Sequence, residues 1–306
     1  MVTNGDPVFV QQMTLAEFDA TFPNEAACWT YLMLRRWPTG PRCPRCGNDH
    51  VYECGPKRAW HWQCKKCGKN NRSPYRFSLK TKTIFEETKK PLLMWFEVLY
   101  LMLMSKKGMS AWQLHRMLGT GSYETVWYMC MRLRGAMKDP EFRQLMGIVE
   151  VDETFFGGKE SNKHWGKRLH AGRGTVGKIP VIGAISRQGS VVCQIIENTD
   201  TATLDRFVRH AVSENVSLVV TDEAKGYRML DKTFRHESVT PARGEYVRGE
   251  VHTANIDSFW ALLKRGVMGT YHHISKKYLP LYLNEFEFRF NNRREADIFG
   301  KAIAGC

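Results

Sequence analysis

The sequence has no apolar run long enough to cross a bilayer. Its longest, Pro91 to Met104, carries Glu97 and stops well short of the roughly 18–20 residues a span requires. The first ten residues, MVTNGDPVFV, lack a charged head followed by an apolar stretch, so no secretory leader is expected and the cytoplasm is the expected location. Acidic side chains are scarce as well: 31 Asp and Glu stand against 45 Lys and Arg in 306 residues, a net charge of +14. Disorder is excluded by a hydrophobic fraction of 43% and an aromatic fraction of 12%, which suffice for a core. At ~100–200 residues per domain, two or three units are expected.

The shortage of acids is local. Between Arg35 and Lys138 there are 21 Lys and Arg but six Asp and Glu, while the rest of the chain holds 24 and 25. One segment thus carries the whole excess. Taken alone, such a field serves solubility, an anionic membrane surface or a nucleic acid. Nucleic acid is the reading preferred here, because each phosphate neutralised releases condensed counterions.

Four of the nine cysteines form a pattern. Cys43-Pro-Arg-Cys46 and Cys64-Lys-Lys-Cys67 are two CxxC pairs separated by 17 residues, the spacing of a four-cysteine zinc ribbon. Each pair turns two thiolates toward one ion, and Gly47 and Gly68 follow the second cysteines, where the knuckle needs an unhindered backbone. A filled shell of four leaves no open position, so the zinc is expected to be structural. Trp60, His61 and Trp62 lie between the knuckles as expected cover for the metal, with base stacking the weaker alternative. Cys28, Cys54, Cys130, Cys193 and Cys306 read as core or surface residues.

Residues 91–105 place Leu92, Trp95, Phe96, Leu99, Tyr100 and Leu103 at helical spacing. Ser110 and Gln113 form a capping box before Trp112, Leu114, Met117 and Leu118, and Ser122 caps a second helix after Gly119-Thr-Gly121. A short helix, a glycine turn and a longer helix predict a helix-turn-helix-like segment, with a plain helical hairpin as the alternative. In the former, Tyr123, Glu124, Thr125 and Tyr128 begin the recognition helix, followed by Arg132 and Arg134.

Beyond Asp139-Pro140 the pattern shortens to strands at 148–156, 179–186, 190–197 and 217–221, with helices at 203–213 and 256–267. This is the order of an RNase H-like α/β domain. Asp152 ends the first strand and Asp222 the fourth. Taken singly, each fits a turn; together, acids at the ends of two buried strands point to a divalent ion. Oxygen ligands without nearby Cys or His favour Mg2+ or Mn2+. Asp257 precedes Lys264 by seven residues, which stacks the two on one helix face ~10.5 Å apart along the axis. An exposed acid–base face would have the same spacing.

Here the chain resembles bacterial insertion-sequence transposases of the zinc-ribbon DDE class, nearly end to end. The carriers are CPRCG, CKKCGK, SKKGMSAWQLHRMLG, VEVDETFFGGK, VVTDEAKGY, HTANIDSFWALLKRGVMGTYHHIS and YLNEFEFRFNNR. The resemblance puts Asp152, Asp222 and Asp257 at the family's three acids, 34 residues separating the last two, and Lys264 at its basic position, beside Arg265 as a DNA contact. It implies two catalytic Mg2+ or Mn2+ ions. It also implies cleavage at the ends of a mobile element and strand transfer into a target. The DNA partners would be terminal inverted repeats and target duplex, bound by a homodimer or larger synaptic assembly at the nucleoid. It further assigns residues 278–291 to a helix, although Phe286, Phe288 and Phe290 alternate like a strand. One departure is Asp257, where the family usually has Glu; Asn255, Glu150 and Glu153 are nearby substitutes, with Glu150 on the Asp152 face of the strand and Glu153 on the other. Two alternatives follow: a zinc-ribbon DNA-binding regulator with a decayed catalytic domain, or a nuclease of this fold without strand transfer. The expected domains are an N-terminal helical segment (1–40), the ribbon (41–75), the helix-turn-helix-like segment (76–140) and the catalytic domain (146–306).

Overall fold

The computed structural model of the chain describes residues 12–69, 73–138, 143–158, 164–169, 174–187, 189–222, 225–239, 247–249 and 251–306. Two compact units divide them: one holds residues up to Lys138 together with Asn292–Cys306, the other spans Asp139–Asn291.

The first unit opens with α1 (Leu15–Thr21) and α2 (Glu25–Arg36). Thr14 accepts from the Glu17 amide while the Glu17 carboxylate accepts from the Thr14 amide, a reciprocal cap at 3.2 and 2.7 Å. A three-stranded antiparallel sheet follows, in the order β1 (Tyr52–Glu53), β2 (His61–Lys69), β3 (Ser73–Ser78). Trp62 of β2 lies opposite Phe77 of β3 and is buried against it and Trp37.

Next comes α3 (Leu92–Met104), apolar on nearly every side and buried at eight positions, as such a helix must be. Its amino end makes no side-chain cap of its own. Glu25 supplies one from α2, accepting the Leu92 and Leu93 amides at 2.9 Å each. Then α4 (Ala111–Leu118) and α5 (Tyr123–Ala136) pack as a pair joined by residues 119–122. Ser110 caps α4 through the Gln113 amide as expected, but Ser122 makes no such bond for α5; its hydroxyl donates to Glu124 instead.

The second unit is built on a five-stranded mixed sheet, ordered β6-β5-β4-β7-β8. Strands β4 (Ile148–Phe156), β5 (Ile179–Ser186) and β6 (Val191–Ile195) form an antiparallel meander. Strand β7 (Leu218–Asp222) runs parallel to β4, and β8 (His236–Val239) parallel to β7. The predicted strands are all present; β8 was not foreseen. Helix α6 (Thr201–Ala211) covers one face, packing Leu204, Phe207 and Val208 on Val149, Val151 and Ile182. Helices α7 (Ala254–Gly266) and α8 (Leu279–Asn291) cover the other, with Ile256, Phe259, Trp260 and Phe286 on Phe156, Val181 and Ile185. Residues 279–291 are helical, so the alternating phenylalanines do not mark a strand. Sheet order and two-sided helical cover make this an RNase H-like domain.

Residues Asn292–Cys306, which the sequence reading placed at the end of the catalytic domain, lie in the first compact unit. The reason is apolar: Phe299 of α9 (Ile298–Ala304) sits among the rings of Phe18, Phe22, Tyr31 and Phe96, 5.4–6.0 Å between centroids. An Arg35–Asp297 ion pair and the Ile84 amide on the Cys306 carbonyl hold its ends.

Candidate active site and metal centre

The four cysteines of the ribbon converge. Their Sγ atoms all lie within 4.8 Å of one another, and no other such cluster of three or more His, Cys, Asp or Glu occurs among the described residues. The Cys43–Cys67 and Cys46–Cys64 pairs are each 3.8 Å apart. A disulfide would need about 2.05 Å. A tetrahedron with metal–sulfur distances of ~2.3 Å has edges of roughly 3.8 Å, so the thiols fit a four-coordinate structural zinc. Gly47, at φ +69°, closes the first knuckle, a conformation that a side chain would strain. His61 bonds to the Ala59 carbonyl and takes no part.

In the other unit, strand register brings two acids together. The β4–β7 ladder pairs Glu150 with Val220. Asp152 and Asp222 each lie two residues further along, at equal depth on neighbouring parallel strands; Asp222 is the last residue of β7, but Asp152 is mid-strand in β4 and not at the strand end expected. Burial pushes the Asp152 carboxyl up to about 6, aided by the charge of Asp222 and then of Asp257. Among the described residues, no Lys or Arg pairs with Asp152. The Trp260 indole N–H is buried with no partner at bonding distance, yet lies close enough to favour the Asp152 carboxylate. These acids are looser than the thiols, since they do not meet within 4.8 Å as a group.

Asp257 stands in the first turn of α7, exposed, with Thr253 donating to it at 3.2 Å. Lys264 and Arg265 are exposed in the last turn. The helix approaches the sheet closely because Gly183 lies opposite Asp152 in the β4–β5 ladder. A Cβ at Gly183 would meet the Trp260 ring at 2.7 Å.

Two further acids have distinct places. Glu150 is wholly buried and accepts from the Asn255 amide at 2.8 Å, its side-chain amide at 2.7 Å and the Ile256 amide at 3.1 Å. Arg187 adds an ion pair at 3.0 Å, and His252 approaches to 3.4 Å. Glu150 therefore caps α7, whose Thr253 makes no side-chain cap. Asn255 is occupied by the same contact. Neither is a spare ligand for a missing third acid, which corrects the sequence reading of both. Glu153 is on the opposite face, as alternation predicts, beside the buried Tyr227 phenol. Burial raises it to about 7, Tyr227 opposes the rise, and Asp152 and Asp222 add to it.

Comparison with known proteins now bears on this arrangement. Residues 144–291 match the ISXO2-like transposase domain, and residues 23–70 the transposase zinc-ribbon domain. The uncharacterized protein in transposable element ISH50 of Halobacterium salinarum is 29% identical over 280 residues, covering 88% of this chain and 92% of its own length. An uncharacterized transposase-like protein of Haemophilus influenzae is 31% identical over 99 residues, 32% of this chain and 78% of that one. The chain belongs to the insertion-sequence transposases of the zinc-ribbon DDE class.

The transposase-family chain places its expected DNA contacts unevenly. On α5, Glu124, Thr125, Tyr128 and Arg132 fall within about 100° of one another around the axis, on the side away from buried Val126, Met129, Cys130 and Leu133. Arg132 lies over the Tyr128 ring at 5.4 Å. Arg134 does not join them. It is 1% exposed, because a step of two residues turns 200° around a helix, and it is no surface contact. Tyr123 projects near the turn instead, edge-on to Trp112 at 5.1 Å. Trp112 and Met117 of α4 are 59% and 55% exposed. His252 packs at Glu150, whereas His272 and His273 are exposed. Among the described residues, no helix is long and apolar enough to cross a membrane.

Proposed function

We propose that this chain is an active DNA transposase: it binds the ends of a mobile element, cuts the DNA there and joins the freed ends to a target. The observation that carries the reading is the register that sets Asp152 beside Asp222, with Asp257 on a helix clamped to the same strand. Asp152, Asp222 and Asp257 would hold two Mg2+ or Mn2+ ions. The donor set fits such ions, being all oxygen. When bound, the ions supply the positive charge that activates the attacking oxygen and stabilises the leaving one.

The chain's own residues do the rest. The carboxylates must be ionised to hold cations, and the buried Asp152 is the acid whose proton must leave. Lys264 and Arg265 hold a phosphate on the Asp257 side of α7 and so orient the backbone to be cut. No Ser or Tyr nucleophile is required, since water and then a 3′-hydroxyl attack directly. The exposed α5 face and the basic ribbon bind the terminal repeats, with phosphate contacts setting register and base contacts setting sequence. Bringing two ends together calls for a dimer or larger assembly.

Purified protein, Mg2+ and a labelled duplex ending in the element's terminal repeat test the reading. Nicked and joined products are expected, and both should vanish in Asp152→Asn. Specific binding without nicking would favour the regulator with a decayed domain; nicking without joined product would favour the nuclease.

A further inference from the structure

Helix α4 exposes aromatic surface that neither the core nor the proposed chemistry uses. Its buried stripe is Ala111 and Leu114. Trp112 points off that stripe, one helical turn from Arg116, and both are exposed. The Trp112 ring has aromatic neighbours on two sides. His115 stacks on it at 5.4 Å and 10° between planes, and the His115 ring is anchored in turn by a 2.6 Å bond between Nδ1 and the Thr120 hydroxyl. Tyr123, the first residue of α5, meets the indole edge-on across the turn, itself 36% exposed. These three rings form a propped platform open to solvent.

Its surroundings select the partner. Arg116 is exposed one turn along α4, Lys106 and Lys107 are exposed in the segment leading into that helix, and Glu124 is the only acid from Val98 to Lys138. A second copy of this chain docking here would set one basic patch against another. A polyanion carrying flat aromatic groups fits both the charge and the rings.

We propose that Trp112, propped by His115 and flanked by Tyr123, is a stacking platform for unpaired bases of a DNA end. This deepens the proposed function and rests on its DNA-binding part alone. The terminal base pairs of a cut DNA end fray readily, and an indole already stacked on His115 receives a splayed base with little loss of side-chain freedom. Stacking is sequence-tolerant, because every base has a π-face. The platform therefore recognises unpaired DNA, while the α5 face reads the duplex.

The test measures binding of the full-length protein to labelled (dT)20 and to a blunt 20-base-pair duplex over a salt series. Trp112→Ala should weaken (dT)20 binding about tenfold and leave the duplex within about twofold. Its salt slope should be unchanged, since stacking releases no counterions. Trp112→Phe should recover much of the loss, and far-ultraviolet dichroism should match the parent. Equal loss on both DNAs, a changed slope, or no loss at all would overturn the platform. A shift in oligomeric state of Trp112→Ala with DNA binding intact would overturn it in favour of a protein interface. Failure of the transposase reading is separable: parent protein that binds both DNAs but neither nicks nor joins a terminal-repeat duplex with Mg2+ would sink that reading and leave the platform standing, since only the Trp112 results above bear on it.

Discussion

Glu150 and Asn255 are 105 residues apart in sequence and joined by two hydrogen bonds, one to the Asn255 amide at 2.8 Å and one to its side chain at 2.7 Å. The consequence is geometric. Glu150 and Asp152 lie on one face of β4, so the strand bearing Asp152 also grips the amino end of the helix bearing Asp257. A negative group at that end also complements the helix dipole. Arg187 neutralises the buried carboxylate, so the clamp is a network and not an isolated charge.

Breaking the clamp should therefore cost stability and geometry together. Glu150→Ala leaves several donors and Arg187 without their acceptor, and a loss of about 3 kcal/mol is expected in urea unfolding. Glu150→Gln keeps the shape and one acceptor, and should lose less. A Glu150→Ala protein as stable as the parent would show that another group caps α7.

The pH dependence follows from Asp152 and Glu153, raised to about 6 and about 7. Both exceed the ordinary carboxyl range of roughly 4. Their burial as neutral acids stabilises the fold fully below that range, and the contribution is lost as pH rises through 6 and 7. Metal-free protein should thus show a falling melting temperature across pH 4–7. Mg2+ or Mn2+ should raise it more at pH 8 than at pH 5, because protons compete for Asp152. In Asp152→Asn the metal effect should shrink at every pH. A metal effect independent of pH would place the ions elsewhere.

Zinc removal offers a separate measurement. Strong chelation, or Cys64→Ser at the most buried sulfur, should unfold the ribbon, seen as loss of protection in the amides of β1–β3. The second unit holds no part of this cluster, so its amides should stay protected. DNA-end binding should fall with the ribbon. Uniform loss of protection throughout the chain would show that the zinc stabilises more than its own domain.

How much of this was legible beforehand depended on what each residue had to satisfy locally. Strands β4, β5 and β7 were readable from their Val and Ile content, and the CxxC pairs because spacing alone makes a tetrahedron possible. Strand β8 was not: His-Glu-Ser-Val has neither an apolar run nor clear alternation, and it pairs only because β7 offers a parallel edge. The exposure of Trp112 was not legible either, since nothing in sequence reveals that Ala111 and Leu114 suffice for the buried side of α4. The role of Glu150 depended on a helix 105 residues away. Its face was readable from alternation, its partner was not. Asn292–Cys306 joined the first unit through long-range contacts of Phe299, which no local period announces.

Arg132 and Arg134 give the sharpest contrast between pattern and place. Arg132→Ala should weaken duplex binding several-fold and reduce the salt slope by about one, with little change in melting temperature. Arg134→Ala should do the reverse, destabilising the first unit by a few kcal/mol through lost buried contacts, with DNA affinity per folded molecule unchanged. Equal effects of the two on the salt slope would contradict the burial of Arg134.

Gly183 tests the other side of α7. A Cβ there would lie 2.7 Å from the Trp260 ring, far inside van der Waals contact, so Gly183→Ala must push the helix or the indole away. Overpacking of this kind costs about 1–3 kcal/mol. Displacement of α7 also moves Asp257 away from Asp152, so metal-induced stabilisation should fall by more than the stability loss alone explains. Adding Trp260→Leu should relieve the clash, and the double variant should be more stable than the two single effects summed. If the two substitutions add without coupling, Gly183 is not what lets the helix approach. If they couple while the metal effect stays at the parent level, the helix position is not what sets the third acid.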